Sequence, residues 1–490
     1  MNVSTPDWVK DAVFYQIFPD RFDRNTGDSA GNPAIVGVTF QEWGGQPTPR
    51  KFMGGNLAGV ERRLDYLVEL GISAIYLNPI FSAAANHRYN TYDYFRVDPL
   101  LGGDAAFDKL LTSAHQRGIR VVLDGVFNHC GRGFFQFHHL LENGPDSPYS
   151  DWFHVNRWPL NAYSSDEAPD YSAWWNIPAL PKFNTDNPGV RQFLWSVGTH
   201  WLERGIDGWR LDVPDEIDDD SFWQEFRQRC KSVNPDAYIV GELWKPAHRW
   251  LKGDQFDGQM NYLFTRAVFG YFIGRKLDQS QTIPMGYGRI RTLDGQSFGK
   301  ELDHIFNHLY HPEIALAQLN MLGSHDTPRL MTLANGDRAT VALAFLCQMT
   351  VPGAPNIYYG DEIGMTGRTD PDCRKAFPWH DLGIWDNSLL EELKRLTAMR
   401  HRSAALRRGS FQVIQADKQV VAYERYFKGE RVVVAFNVAR RKPAVFKYTG
   451  ASGEVLREEP VGATQGESLQ AGASVILPPY SGRVWSSTAP

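Results

Sequence analysis

One hydrophobic pattern occurs three times along the chain. Residues 60–79, 106–125 and 190–212 each begin with apolar positions at helical spacing, pass through Gly-Ile, and end in a short unbroken apolar run. In the first, Leu64, Leu67, Val68 and Gly71 follow the helical period, and the glycine suits a helix C-terminus, where positive φ is cheap. A helix, a glycine and a buried strand, repeated, predict parallel strands covered by helices. Residues 12–18, 238–241, 319–323 and 354–358 read as further strands, and an eighth falls at 256–262 or 305–309. Polar residues gather at the C-terminal end of nearly every one. A (β/α)8 barrel places its chemistry at that end, so the expected fold is α/β, a TIM barrel. The competing doubly wound sheet would carry G-x-G-x-x-G after its first strand, and none is there.

The rhythm breaks twice. Residues 130–188 are rich in His, Tyr, Trp, Asn and Pro, an insertion after strand three that reads either as a decorated loop or as a wall of an active cleft. After about residue 405 the pattern alternates with period two, with a turn at Lys428-Gly429. The expected organisation is a barrel from 1–129 and 189–400, an inserted subdomain at 130–188, and a C-terminal antiparallel β-sandwich at 401–490.

Composition narrows the function. The 490 residues carry a net charge of -5, which gives no general attraction for nucleic acid or anionic membrane. No apolar run is long enough to span a membrane. Cys130, Cys230, Cys347 and Cys373 are far apart, without metal spacing, and read as free thiols. The first residues form no basic-then-apolar leader. A cytoplasmic location is expected, with a secreted form whose signal peptide has been removed as the alternative. The 15 Trp suit domain packing or flat platforms for sugar rings.

The candidate chemistry sits at strand ends. Asp124 and His129 bound the segment DGVFNH, which ends the strand VVLD and places both at the expected barrel mouth. Arg210 and Asp212 in GWRLD share a side by strand periodicity, and the guanidinium is expected to hold Asp212 ionised, as a nucleophile requires. A structural salt bridge is the alternative. Glu242 ends IVGE beside Trp244, where an apolar ring and a neighbouring carboxylate would raise its pKa, as a general acid requires. His325 and Asp326 follow another strand and can grip sugar hydroxyls, or Asp326 can keep Glu242 protonated.

The order DGVFNH, GWRLD, GELW, SHD resembles the four signature segments of the alpha-amylase superfamily of glycoside hydrolases. LPKFN at 180–184 is similar to the fifth region in its neopullulanase, cyclomaltodextrinase and maltogenic amylase subgroup, and GVTFQEWGG, GAPNIYYGDEIGMTG and DPDCRKAFPW also fit that subgroup. The resemblance covers about residues 8–400. It implies cleavage of α-1,4-glucosidic bonds in malto-oligosaccharides, cyclomaltodextrins or starch-like glucans, with Asp212 as nucleophile, Glu242 as acid/base and Asp326 supporting the transition state. It further implies that Arg210 orients Asp212, that His129 and His325 bond the sugar at the cleavage site, that Tyr89 stacks on it, and that His87, Asp124 and Arg374 belong to the same shell. Trp244 would line the acceptor side. A 4-α-glucanotransferase, an α-glucosidase, or an inactive glucan-binding subunit are the other readings.

Two departures stand out. Lys245 follows Glu-x-Trp where the subgroup has His, a longer charged donor near the acceptor. The subgroup's extra N-terminal β domain is missing ahead of a first strand that begins by residue 12, so the dimer built on that domain is not expected, and the chain reads as a monomer or another dimer. The resemblance also implies a structural calcium ion, and no organic cofactor. Asp23, Asn25 and Asp28 are hard oxygen donors at short spacing, Gly54 and Asn56 stand in a GGN segment where the subgroup has GGD, and Asn128 matches a ligand of a second site. The alternative is a polar loop with caps and turns.

Overall fold

The computed structural model describes residues 3–25, 37–164, 169–450, 454–461 and 466–487. Eight parallel strands form one sheet: β1 (Phe14–Ile17), β2 (Ala74–Leu77), β3 (Arg120–Gly125), β4 (Gly208–Leu211), β5 (Tyr238–Gly241), β6 (Gly258–Gln259), β7 (Leu319–Met321) and β8 (Ala354–Tyr358). Strands β1 to β6 pair in chain order, and β8 lies between β1 and β7. A parallel bridge from Met260, just after β6, to Leu319 of β7 brings the remaining edges together into the barrel. Every residue of β1, β2, β4 and β5 is buried, because barrel strands have helices on one side and packed side chains on the other. Strand β6 has two residues, which explains why periodicity could not choose between its two candidate positions. The other candidate, 305–309, is helical.

The helix before β2 breaks at Arg63 into Leu57–Arg62 and Leu64–Glu69. Its buried stripe is Val60, Leu64, Leu67 and Leu70, and Val68, expected inside, is 45% exposed at the edge of that arc. Gly71 ends it at φ +83°, where a Cβ would lie 2.6 Å from Thr397 Oγ1. Both conformation and space therefore require glycine.

Among its described residues the insertion holds one α-helix, Phe135–Asn143, three short 3-10 turns, Gly144–Asp146, Ser150–Trp152 and Trp174–Asn176, and isolated bridges. Its return segment is stitched to the residues after β3. The Cys130 N–H donates to Pro181 O at 3.0 Å, and the Phe183 N–H donates to Asn128 O at 3.1 Å.

Beyond the helices Asn387–Arg402 and Ala404–Arg408, a six-stranded antiparallel sheet faces a two-stranded one. Val433, Phe446, Leu477 and Trp485 lie in their shared core. Lys428 and Gly429 both have positive φ, as a two-residue hairpin turn demands. Two buried guanidiniums, Arg425 of this layer and Arg400 of the helix Asn387–Arg402, bind the same part of the barrel. Arg425 donates to Thr350 O, and Arg400 to Met349 O and Val351 O, which satisfies carbonyls at the end of the helix Arg338–Thr350.

Glu362, after β8, is fully buried and accepts hydrogen bonds from Tyr15 and Tyr66 hydroxyls at 2.7 and 2.8 Å. Burial pushes its pKa up to about 7, against the tyrosine hydrogen bonds that lower it. The folded state thus keeps a proton that the unfolded chain releases above about pH 4.5, so this group's contribution to stability falls as pH rises towards 7. Glu362→Gln removes that titration. Between pH 5 and 8, the unfolding free energy of the variant relative to wild type is expected to rise by about 3 kcal/mol. Urea melts at the two pH values check it, and a pH-independent difference would refute it.

Candidate active site

The residues singled out at strand ends converge on one guanidinium. Arg210 lies in β4 and is fully buried. Its Nη1 donates to Asp124 Oδ1 and to Asp212 Oδ1, each at 2.8 Å. Its Nη2 lies 2.8 Å from Glu242 Oε2, a close ion contact off the N–H direction. Three carboxylates from the ends of neighbouring β3, β4 and β5 therefore share one cation, where the sequence suggested a private partner for Asp212. Asp326, after β7, is held by Arg374 Nη2 at 3.2 Å and faces His325 Nε2 at 3.1 Å. Arg374 also donates from Nε to His325 O and pairs with Asp370.

This sharing changes the electrostatics. Burial raises the Asp212 pKa well above the carboxylate range, and Glu242 and Asp124 add to the rise against the opposing charge of Arg210. Arg210 acts in the expected direction, favouring the ionised form of Asp212, while burial and the two neighbouring acids oppose it. Glu242 is also raised, by burial first. Trp244 acts opposite to expectation. Its indole N–H donates to Glu242 Oε1 at 3.2 Å and so favours the charged form. Burial, then the charge of Glu242, push Asp326 up to about 7. The acids titrate as a group.

The backbone helps to aim them. Val213, directly after Asp212, has φ +35° and ψ +53°, a left-handed conformation that costs a β-branched residue about 1–3 kcal/mol. The turn directs its N–H to Glu242 Oε2 at 3.2 Å.

A second layer fixes the rings. His325 Nδ1 faces the side-chain amides of Gln16 and Asn78 at 2.9 and 3.1 Å. Both are donors, so Nδ1 accepts and the proton sits on Nε2. Burial and the charge of Arg374 hold this imidazole neutral. Nε2 lies 2.6 Å from the Tyr89 hydroxyl, which donates onward to Asp124 Oδ2 at 2.8 Å. Tyr76 donates to the same oxygen at 2.9 Å. The Tyr89 ring runs parallel to His325 and His87, so protein rings already flank the residue expected to stack on sugar. Burial, then Arg374, push His87 down to about 3, and burial does the same to His129. His129 Nε2 has no hydrogen-bond partner among the described residues although it is buried, which leaves it for a ligand. One face of the Trp244 ring is covered by Tyr262, with centroids 3.6 Å apart, and Lys245 stands exposed at the rim.

The sequence profile described as "Alpha amylase, catalytic domain" matches residues 16–384. The chain belongs to the alpha-amylase family. It is 43% identical to a cyclomaltodextrinase of Geobacillus thermopakistaniensis over 97% of this chain and 76% of that one. It is 41% identical to neopullulanase 2 of Thermoactinomyces vulgaris over 98% of this chain and 78% of that one. Among solved structures, a debranching enzyme of Nostoc punctiforme aligns with a TM-score of 0.87 at 43% identity, covering 99% of this chain and all of the other. This alpha-amylase family member is a glycoside hydrolase. No helix among its described residues is long and apolar enough to cross a membrane.

Among the described residues, the expected calcium donors Asp23, Gly54 and Asn56 are engaged with protein groups. The Asp23 carboxylate is bound by Arg62 at 2.7 Å and Arg63 at 2.6 Å. Asn56 Oδ1 caps the helix Leu57–Arg62 through Gly59 N–H, and its amide donates to Asn25 O. Gly54 donates its N–H to Asp20. Two guanidiniums on the one described carboxylate oppose a second cation there. Asp28 lies outside the described residues. Asn128 Oδ1 is buried without a partner among the described residues, but it is a single donor, and no group of three or more His, Cys, Asp or Glu among those residues could hold a metal. EDTA is accordingly expected to move the Tm by less than about 1 °C, while Asp23→Asn lowers stability by about 2 kcal/mol. A melting transition that rises on adding calcium would reverse this reading.

Gln16, Asn78, Tyr76 and Val213 were not foreseen as parts of the site. Three of them carry a signal in retrospect, since Gln16 and Tyr76 are polar-tipped residues within buried strands and Asn78 directly follows β2. Val213 carries none, because positive φ at a valine cannot be read from composition.

Proposed function

We propose that the enzyme cleaves α-1,4-glucosidic bonds in malto-oligosaccharides, cyclomaltodextrins or starch-like glucans with retention of configuration. The observation that supports this most is the set of acids around Arg210, with Asp212 and Glu242 on one guanidinium at the ends of adjacent strands. Retaining glycosidases need two carboxyl groups about 5 to 5.5 Å apart, inverting ones a wider gap. Glu242 gives its proton to the glycosidic oxygen while Asp212 attacks the anomeric carbon, so the C–O bond to the leaving sugar breaks as an ester to Asp212 forms. Glu242, now a carboxylate, takes a proton from water, whose oxygen displaces Asp212. A sugar hydroxyl in place of water gives transfer. Asp326, steadied by Arg374, faces the charge that develops on the sugar ring, and His129 Nε2 supplies a hydrogen bond to one of its hydroxyls.

The relatives' names divide between cyclic, branched and linear substrates, so the test is a product time course on maltotriose, β-cyclodextrin, pullulan and soluble starch, with product anomers followed by NMR and Glu242→Gln as control. Early α-anomer supports retention, and early β-anomer overturns it. Fast opening of β-cyclodextrin favours the cyclomaltodextrinase-type preference. Products longer than maltotriose favour transfer. No turnover of any of the four would remove the α-glucan reading.

A further inference from the structure

The aromatic insertion carries a feature that the chemistry above does not use. Trp174 and Trp175 are consecutive, yet their rings stack with centroids 4.5 Å apart and planes 9° from parallel. Neighbours in an extended or helical chain point apart. These two align because Trp175 and Asn176 both take left-handed backbone, at φ +51° and +58°, a conformation that is costly for residues other than glycine. Trp175 then stands 75% exposed. The free protein thus holds a strained backbone to present a large apolar face to water, and the stack on Trp174 returns only part of that penalty. Such an arrangement points to something that covers the ring when bound.

Its position says what. Trp174 lies parallel to His129, with centroids 5.5 Å apart and planes at 20°, and His129 is the buried imidazole whose Nε2 is left without a partner. The ladder His129, Trp174, Trp175 therefore runs outward from the acid cluster. It is fixed at its base. The Trp174 N–H donates to Leu180 O at 2.9 Å, Ile177 N–H returns to Trp174 O at 3.0 Å, and Ala173 bridges to Pro181, the residue that anchors Cys130.

We propose that Trp175 is a stacking platform for a glucosyl unit of the substrate chain, beyond the unit held at His129, and that it sets a preference for longer or cyclic glucans. A pyranose offers a flat face of C–H groups, which an indole covers well, and its edge hydroxyls remain in water. The proposal rests on the α-glucan reading above.

The test compares Trp175→Ala and Trp175→Phe with wild type on maltohexaose and on 4-nitrophenyl α-glucoside, which is too short to reach the platform. For Trp175→Ala, KM for maltohexaose is expected to rise about 10-fold with kcat little changed, and KM for the aryl glucoside to stay within about 2-fold. Trp175→Phe should recover most of the loss. A structural role would instead lower the Tm and harm both substrates equally, and that pattern overturns the proposal. Binding is read separately in Glu242→Gln, by tryptophan fluorescence titrated with maltohexaose. Binding that Trp175→Ala leaves unchanged refutes the platform alone. No binding with Trp175 intact refutes the glucan reading and the platform with it.

Discussion

Glu242→Gln is expected to lower kcat/KM on maltotriose by about 10³-fold, equivalent to about 4 kcal/mol of transition-state stabilisation. The amide keeps the shape of the side chain, but its one oxygen can accept from only one of the Val213 N–H and the Trp244 indole, which meet different carboxylate oxygens, and it has no acidic proton to give. A sugar alkoxide is a poor leaving group without that proton. A 4-nitrophenoxide is not, so on an aryl α-maltoside the first step should survive within about 10-fold. The second step needs Glu242 as base and should stall. Wild type would then show steady turnover, and the variant a stoichiometric burst of nitrophenol followed by a slow phase, with an added maltosyl mass located on Asp212. Equal losses on both substrates with no burst would contradict the assignment of Glu242 as acid/base and of Asp212 as nucleophile.

Arg210→Met is expected to cost about 3–5 kcal/mol of stability near neutral pH, because it leaves buried carboxylates without their cation. The pH dependence separates this from lost packing. Without the guanidinium, the folded-state pKa values of Asp124, Asp212 and Glu242 rise further above their unfolded values. The folded variant then binds protons that the unfolded chain has released, and its stability falls as pH rises from about 4 upward. Destabilisation should therefore be smaller at pH 5 than at pH 8 in urea melts, with Arg210→Lys in between. A loss of equal size at both values would mean that Arg210 acts mainly by filling space.

The sequence made most of the barrel legible, because its strands are unbroken apolar runs ending in acids and histidines. Strands 238–241 and 354–358 appear at those bounds. Strand β6 stayed ambiguous, since two residues have no period. Val68 was misplaced because one breakpoint at Arg63 resets the helical face. At the site, the placement of Asp212, Glu242 and Asp326 at strand ends was readable from the sequence, but their environment was not. Arg210 looked like a partner for one acid because sequence shows neighbours along a strand and hides neighbours across strands. Trp244 looked apolar to Glu242 because a residue name does not say which edge of the ring it presents. The two arginines that bind Asp23 could not be foreseen either, because they lie about forty residues away in the sequence.

The stitching of the insertion to the barrel has a consequence for how this enzyme can diverge. His129 pairs with Lys182 in an isolated bridge, flanked by the backbone bonds from Cys130 and Phe183. The stretch that carries Trp174 and Trp175 leaves from one side of this seam and the catalytic strand from the other. A deletion or duplication of one residue between 174 and 181 would slide the seam by one position and change the side to which it is paired. Length changes in the insertion are therefore free only upstream of the tryptophans, and variation in specificity must arrive there as substitution, at fixed spacing, or in the far half of the segment.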